Sequence, residues 1–473
     1  MFLMQKIGRN TIIHFLSKIV GLFLNVFVFA LIARYLGATG FGEFTIVVAY
    51  LQAFAIFADL GLYMTFMQML SLPEADQSKI TSNFFTIRLV SSIILLSLAP
   101  VIALLIPQYS YIVKLGIAIT SISFLFGSLT QLLTGFFQKK MEMLKVAIAE
   151  IISKLFFVGL ICFVVYSDVG FLSILGVVVI GGFINFILLY LFSRKFVKIS
   201  LSFDKTIWRN AIKKTWPIGL SIILTTIYFK GDTIILSLFK SSQEVGIYGA
   251  AYRILEALIM FPPIFMGLIL PHLTLSWANK DIFTFKRIFQ KSFDFFALMT
   301  IPLIVGTLFL AKPLMIFIAG PEFSASAEPL KILIFATSLI FFGSLVSHTI
   351  IAMNKQRTML WFYCLAALIA LIGYLILIPR YSYYGAAYMT ILAESIITIS
   401  AFVIIKKTSN FFPSLKIFRS VILSSLLMGF VLFIFNQANL FLLIFLAIIV
   451  YTLALYLSGG IDKKMIKDIF KTV

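Results

Sequence analysis

A long apolar segment near the N-terminus, TIIHFLSKIVGLFLNVFVFALIA, runs from Thr11 to Ala33. Only His14, Lys18 and Asn25 interrupt a run of otherwise apolar or small side chains. A helix needs about 20 apolar residues to cross the hydrocarbon core of a membrane, whereas the apolar core of a signal peptide has about 7 to 15. The stretch therefore predicts a membrane-spanning helix that stays in the protein.

Runs of the same kind recur along the whole chain. Of its 473 residues, 61% are hydrophobic and 12% are charged, against about 45 to 50% and about 25% in soluble domains. This composition excludes a soluble domain, because too few charged side chains are available to cover its surface. About fourteen spans of about 20 residues account for the apolar residues. We therefore predict an all-α polytopic membrane protein with about 14 transmembrane helices.

The basic residues indicate the topology. The formal net charge is +20, from 38 Lys and Arg and 18 Asp and Glu. If the connections are assigned alternately to the two sides of a membrane, 27 of the 38 basic residues fall on one side and six on the other. Basic residues collect in cytoplasmic loops, so both termini are predicted to be cytoplasmic. The positive charge thus reflects topology, and no nucleic-acid partner is expected.

The longest cytoplasmic connection divides the chain. Between residues 194 and 215 it carries seven basic residues and one acidic residue, and Ile207, Trp208, Ala211 and Ile212 follow at helical spacing. Such a pattern is typical of a helix that lies in the headgroup layer. We predict an N-lobe of spans one to six at 1–193, this basic amphipathic linker at 194–215, a C-lobe of spans seven to twelve at 216–406, and spans thirteen and fourteen with a cytoplasmic tail at 407–473.

An internal repeat supports two related lobes of six helices. A shift of 204 residues pairs Gly42 with Gly246 and Gln52 with Glu256, and both helices carry polar or small residues at steps of three and four. Transporters are often built from two such repeats. The two lobes are therefore predicted to be related bundles, with the last two helices appended.

Ionisable residues inside the spans mark candidate functional positions. A charge near the membrane centre costs about 3 kcal/mol on insertion scales, so most of them must face protein or water. Arg253 and Glu256 stand three residues apart and are expected to pair within one turn. Adhesion between helices is the alternative role for these charges. The in-span set is Lys18, Asp59, Arg88, Glu150, Lys154, Lys230, Asp232, Arg253, Glu256 and Glu394.

The sequence lacks the motifs of several enzyme classes. It has no glycine-rich phosphate loop and no nucleophile beside a base, and Cys162 and Cys364 have neither metal-ligand nor disulfide spacing. The predicted external connections are too short for a catalytic domain such as that of a membrane glycosyltransferase. We expect a gradient-driven or facilitated transporter, with no enzyme activity, no metal and no cofactor apart from coupling to H⁺ or Na⁺.

Several motifs at the span junctions resemble one family. They resemble the polysaccharide exporter family, which includes the Wzx-type O-antigen flippases and belongs to the multidrug/oligosaccharidyl-lipid/polysaccharide superfamily. The resemblance covers nearly the whole chain. The motifs are RYLGATGFGEF from Arg34 to Phe44, FADLGL from Phe57 to Leu62, YGAAYR from Tyr248, IAGPEFSASAEPLKIL from Ile318 to Leu333 and LIPRYSYYGAAYMTILAE from Leu377 to Glu394.

The resemblance implies a fold and a substrate. Two six-helix lobes would surround a central cavity lined by spans one, two, seven and eight. The protein would carry an undecaprenyl-diphosphate-linked oligosaccharide across a bacterial inner membrane, beside a polysaccharide polymerase and chain-length proteins. A lipid II flippase and a multidrug or small-metabolite antiporter are alternatives on the same fold. A protein that transports nothing and serves as a scaffold is a further alternative.

Transport of such a lipid-linked oligosaccharide implies a role for each candidate residue. Lys18 and Arg253, with Lys230 or Arg88 as helpers, would neutralise the diphosphate. Hydrogen bonds to sugar hydroxyls are expected from Asn25, Gln52, Thr225 and Tyr228. The candidates for coupling to H⁺ or Na⁺ are Asp59, Asp232, Glu256 and Glu394.

Overall fold

The computed structural model describes residues 2–72 and 76–460, without the side chains of residues 2–19 and of several residues between 217 and 229. Within these ranges the regular structure is helical. The helices are α1 Phe2–Asp59, α2 Leu62–Leu70, α3 Gln77–Leu104, α4 Tyr111–Lys140, α5 Met143–Tyr166, α6 Phe171–Ser193, α7 Lys205–Phe239, α8 Ser242–Ile259, α9 Phe261–Ala278, α10 Ile282–Ala319, α11 Ala327–Ala352, α12 Gln356–Ser409, α13 Lys416–Ile434 and α14 Leu440–Leu457.

Two helices are too long to be single spans. Helix α1 has 58 residues, which corresponds to about 87 Å at 1.5 Å per residue, against a hydrocarbon core of about 30 Å. Each is bent by a residue with positive φ, Gly37 in α1 (φ 64°) and Ser382 in α12 (φ 51°). Each helix therefore supplies two of the predicted spans.

The prediction of an all-helical polytopic membrane protein is confirmed. In the described part of the chain, eleven helical segments are long and apolar enough to cross a membrane, and the two bent ones have 51 and 54 residues. Counting each bent segment twice and adding α7 brings the number into agreement with about fourteen spans.

The N-terminal unit comprises Met1–Gly246, and the C-terminal unit comprises Ile247–Val473. In the N-terminal unit, α4 packs against α3 and α6, and the fully buried rings of Phe66, Phe84 and Phe136 form its aromatic core. Helix α7 packs against α1, α2 and α3 of the same unit. The division into lobes at 1–193 and 216–406 stays a prediction.

The basic linker differs in form from the prediction. Residues 198–204 have no regular secondary structure and run beside α3, where Ser82 Oγ, Thr86 Oγ1 and Asn83 Oδ1 accept hydrogen bonds from linker N–H groups at 3.2, 3.0 and 2.7 Å. The Asp204 carboxylate caps the next helix, accepting from two backbone N–H groups. Helix α7 then runs without interruption from Lys205 to Phe239.

Residues 205–215 are thus the first turns of α7, and their position in the headgroup layer stays a prediction. Their apolar face packs on the protein, because Ala211 and Thr215 are buried and Ile207 lies against the α2–α3–α4 core. The opposite face exposes basic side chains together with Ile212 and Trp216.

The C-terminal unit has an aromatic core between α9, α10 and α11. Phe265 and Phe295 stack with their ring centroids 4.5 Å apart, and Phe296 meets Phe341 edge to face at 5.7 Å. Helices α13 and α14 pack on α10, and the Tyr451 hydroxyl donates to the Leu298 carbonyl at 2.7 Å. The last two helices are therefore part of this unit.

Candidate functional site

The break between α1 and α2 creates the best-defined polar site of the N-terminal unit. Helix α1 ends at Asp59, after which Leu60 (φ 40°) and Gly61 (φ 90°) take left-handed conformations. A residue without a Cβ adopts such a φ readily. The Asp59 carboxylate accepts hydrogen bonds from the N–H groups of Gly61 (3.3 Å) and Tyr63 (3.1 Å), and thereby caps α2.

Arg88 of α3 reaches this break from inside the unit. The residue is 3% exposed, and its Nη1 forms an ion pair with the Asp59 carboxylate. Its Nη2 donates to Oε1 of Gln131 on α4 at 2.7 Å. Its Nε is buried without a hydrogen-bond partner. One guanidinium thus joins α1 to α4 and keeps an unused donor.

A cavity of about 620 Å³ lies beside this network, and we call it the break cavity. Ligand pockets commonly measure about 300 to 1,000 Å³. Helices α1 to α4, α6 and α7 contribute to its wall, all from the N-terminal unit. Its apolar lining includes Phe124 and Ile222, and its polar lining consists of Asp59, Tyr63, Arg88, Ser123, Ser128 and Gln131.

The charges at the break cavity balance each other. Asp59 and Arg88 have opposite signs, and their side chains are 15% and 4% exposed. Removing one member of a buried pair costs about 3 to 5 kcal/mol, because the remaining charge is left uncompensated. The pair therefore holds α1, α2 and α3 together and also forms part of the cavity wall.

The second group of predicted residues lies on α7 and α8. Asp232 is fully buried, and its carboxylate accepts from the N–H of Thr233 at 2.6 Å. Lys230 is half-buried on the same helix. In the C-terminal unit, Arg253 Nη1 and Glu256 Oε2 pair at 2.9 Å within one turn of α8, as their spacing predicts.

Glu394 lies in the second half of α12. The residue is 7% exposed, within the packing of α11 against α12. Tyr363 of the first half of α12 lies near it, and the Tyr363 hydroxyl is hydrogen-bonded to Ser347 of α11. The structure therefore provides a buried carboxyl group among hydroxyl groups.

Of the remaining predicted residues, the structure describes the side chains of two. Asn25 is exposed on α1 and Gln52 is half-buried further along that helix. The side chains of Lys18, Thr225 and Tyr228 lie outside the described residues. In the described part of the chain, no group of three or more His, Cys, Asp or Glu residues is arranged to hold a metal ion.

Sequence reasoning missed the neutral part of the break cavity. Ser123, Gly127 and Gln131 recur at steps of four on α4, with Ser128 beside them, and all four residues line the cavity. That small and polar stripe was visible in the sequence. It lies on α4, outside spans one, two, seven and eight, which the family resemblance assigns to the cavity wall.

Two glycines paired by the predicted repeat lie against each other in the N-terminal unit. A Cβ on Gly42 would collide with the Ser242 carbonyl, and a Cβ on Gly246 would collide with the Ala38 carbonyl. Ser242 and Ala38 are themselves 204 residues apart. Such a reciprocal contact is expected of elements related by a twofold axis. The repeat itself stays a prediction.

The chain was compared with known families and proteins. The family described as polysaccharide biosynthesis protein matches residues 7–275. A protein named as an O-antigen transporter from Shigella dysenteriae is 26% identical over 68% of this chain and 79% of its own length. A low-salt glycan biosynthesis flippase, Agl15, from Haloferax volcanii is 23% identical over 99% of this chain and all of its own length.

Solved structures share the fold. The inward closed conformation of the lipid II flippase MurJ matches with a TM-score of 0.77 at 18% identity, over 94% of this chain and 97% of that one. An inward-facing multidrug resistance transporter of the MATE family matches with a TM-score of 0.65 at 13% identity, over 82% and 95% of the two chains. These likenesses confirm the fold implied by the sequence resemblance.

Proposed function

Because the chain belongs to the polysaccharide biosynthesis protein family, we propose that it is a flippase for an undecaprenyl-diphosphate-linked oligosaccharide. The cargo is the repeat unit of an O-antigen or a similar surface polysaccharide, and it crosses the bacterial inner membrane by alternating access. The relatives are transporters, in agreement with the predicted absence of enzyme activity. Both relatives are named for glycan transport, and one of them aligns along 99% of this chain.

The observation that carries the proposal is the polar network of Asp59, Arg88 and Gln131 in the wall of a largely apolar cavity within membrane-spanning helices. A drug antiporter is expected to have an apolar, aromatic cavity with one dominant carboxylate. The break cavity shares the apolar lining and the single carboxylate, but its carboxylate is paired with a guanidinium and accompanied by an amide and hydroxyl groups. Such groups recognise sugar hydroxyls, which both donate and accept hydrogen bonds.

We assign a role to each candidate residue from the chemistry of its side chain. Lys18, Arg253 and Lys230 neutralise the diphosphate as it passes. Asn25, Gln52, Thr225 and Tyr228 form hydrogen bonds with sugars, and Asp232, Glu256 and Glu394 are the carboxyl groups available for coupling to H⁺ or Na⁺. Both termini face the cytoplasm, where the lipid-linked substrate is assembled. A polymerase and chain-length proteins receive the product on the other side.

The test is the fate of the lipid-linked sugar in a strain that lacks this gene. Thin-layer analysis should show accumulation of an undecaprenyl-linked oligosaccharide, and the wild-type gene should remove it. A lipid II flippase would cause lipid II to accumulate, whereas a drug antiporter or a scaffold would leave both lipids unchanged. Either result would contradict the proposal.

A further inference from the structure

We propose that the break cavity is a saccharide subsite, which binds sugar rings of the cargo and not its diphosphate. The inference rests on the proposed function and specifies which part of the substrate this site recognises. It also assigns substrate contacts to Gln131, Tyr63 and Ser123, which are neutral residues.

The charge balance of the cavity is the first argument. A diphosphate binds best where cations exceed anions. Here the Arg88 guanidinium is already paired with the Asp59 carboxylate, which two backbone N–H groups hold in place. A diphosphate would meet a wall of no net charge and the nearby carboxylate would repel it. A neutral polar ligand meets no such penalty.

The unused hydrogen-bonding capacity is the second argument. A guanidinium carries five N–H donors, and the partners of Arg88 are Asp59 and Gln131, with none at Nε. Gln131 accepts from Arg88 through Oε1, is exposed, and keeps the two donors of its amide nitrogen for a ligand. The wall thus offers several donors beside the acceptor oxygens of Asp59. This mixture complements vicinal hydroxyl groups.

The size and rigidity of the break cavity also favour a saccharide ligand. A cavity of about 620 Å³ has room for a small saccharide. Its wall includes the aromatic residues Tyr63 and Phe124, and apolar surface beside a few fixed polar groups is typical of ligand pockets. The Tyr63 hydroxyl donates to Gln138 Oε1 at 2.9 Å, and the Tyr63 N–H is bound by Asp59. The polar wall is therefore organised before any ligand enters.

A cysteine placed in the cavity tests the proposal on the purified full-length protein. Gly127 lines the cavity, and a Cβ at this position would meet no atom within 4 Å. Gly127→Cys is made after Cys162 and Cys364 are replaced by alanine, and its labelling by a water-soluble maleimide is timed. Asn436→Cys is the control, because Asn436 is exposed in the connection between α13 and α14 and does not line the cavity.

Two soluble probes represent the two parts of the substrate. One is the saccharide released by mild acid from the lipid-linked intermediates of the wild-type host, and the other is inorganic pyrophosphate. We expect the saccharide to slow labelling at position 127 and not at position 436, and we expect pyrophosphate to slow neither. Gln131→Ala should weaken the protection roughly fivefold, as for the loss of about one hydrogen bond, and Gln68→Ala on the exposed face of α2 should not.

Three results would overturn the proposal: protection by pyrophosphate as strong as that by the saccharide, no protection by the saccharide, or unchanged protection in Gln131→Ala. The substitutions leave Asp59 and Arg88 in place, so loss of the fold does not obscure the result. The labelling assay involves no transport. A flippase that lacks this subsite would fail here and still clear the lipid-linked sugar in the deletion strain.

Discussion

The two units hold their in-span ion pairs in different ways. In the N-terminal unit, Asp59 and Arg88 are 29 residues apart, come from different helices and are 15% and 4% exposed. In the C-terminal unit, Arg253 and Glu256 share one turn of α8 and are 32% and 26% exposed. The first pair joins three helices and is largely buried, whereas the second forms within one turn of α8 and is more exposed. Burial and sequence separation thus distinguish a pair that joins helices in the cavity wall from a pair formed within one helical turn.

The largest effect is expected from breaking the buried pair. Arg88→Ala should destabilise the protein by about 3 to 5 kcal/mol, because the largely buried Asp59 carboxylate loses its counter-charge. The measurement is thermal unfolding in detergent together with the level of protein in the membrane. The double variant Asp59→Asn, Arg88→Gln should recover most of the loss, since it removes both charges and an asparagine still caps α2. A double variant as unstable as Arg88→Ala would contradict this account.

The second largest effect is expected from a substitution at Gly61, in the backbone break that follows Asp59. Gly61→Ala should lower the free energy of unfolding by about 1 to 2 kcal/mol, because φ is 90° at this position and a Cβ disfavours it. Gly267→Ala on α9 is the control. This glycine lies inside a helix with open space around it, so alanine should stabilise by about 0.5 to 1 kcal/mol. The two shifts in the unfolding midpoint should therefore have opposite signs.

Breaking the accessible pair should affect transport more than stability. Arg253→Ala is expected to change the free energy of unfolding by only about 0.2 to 0.5 kcal/mol, the value of a pair within one helix, and to lower surface polysaccharide strongly. Lys331→Ala breaks a similar pair, with Glu328 at 2.8 Å, and should change neither quantity appreciably. If the membrane level of the Arg253→Ala protein fell in proportion to transport, Arg253 would be a structural residue.

The smallest effect is expected at an exposed pair, Lys79 and Asp204, which joins the linker to α3 at 2.6 Å. The hydrogen bond from Lys79, with those from the N–H groups of Ile207 and Thr206, lowers the pKa of the Asp204 carboxyl. The contribution of the Lys79–Asp204 pair to stability is therefore present above the ordinary carboxyl pKa of about 3.9. It is lost as the pH falls through the lower pKa that Asp204 has in the folded protein. Hydrogen exchange of residues 198–204, corrected for intrinsic rates, should be constant from about pH 7 to 5 and rise below about pH 4. Asp204→Asn should abolish that step.

The same contrast explains what the sequence could predict. The spans follow from local hydropathy, and the Arg253–Glu256 pair follows from helical spacing, so both were accessible from short windows of sequence. The Asp59–Arg88 pair depends on the packing of α1 against α3, and no local pattern encodes it. Gln131 was missed because it lies on α4, outside the four spans that the resemblance assigns to the cavity wall.

The linker shows a pattern with two physical solutions. An amphipathic stretch such as Ile207 to Ile212 satisfies its apolar face equally well on a membrane surface or on a protein surface. In the structure Ile207 and Ala211 pack on the protein, whereas Ile212 stays exposed. Choosing between the two requires the shape of the neighbouring helices, which the sequence of the linker does not contain.

The contact between Gly42 and Gly246 has a consequence for how this protein can evolve. Neither glycine carries a functional group, yet a single added carbon at either one would meet the other helix's backbone, which cannot rotate aside as a side chain can. Selection should therefore remove a substitution at either position as strongly as one at a substrate-binding residue. The two codons are also expected to remain fixed independently, because no change at one position makes room for a side chain at the other. Sequence drift among descendants of this gene should thus leave two invariant positions that mark a crossing of helices.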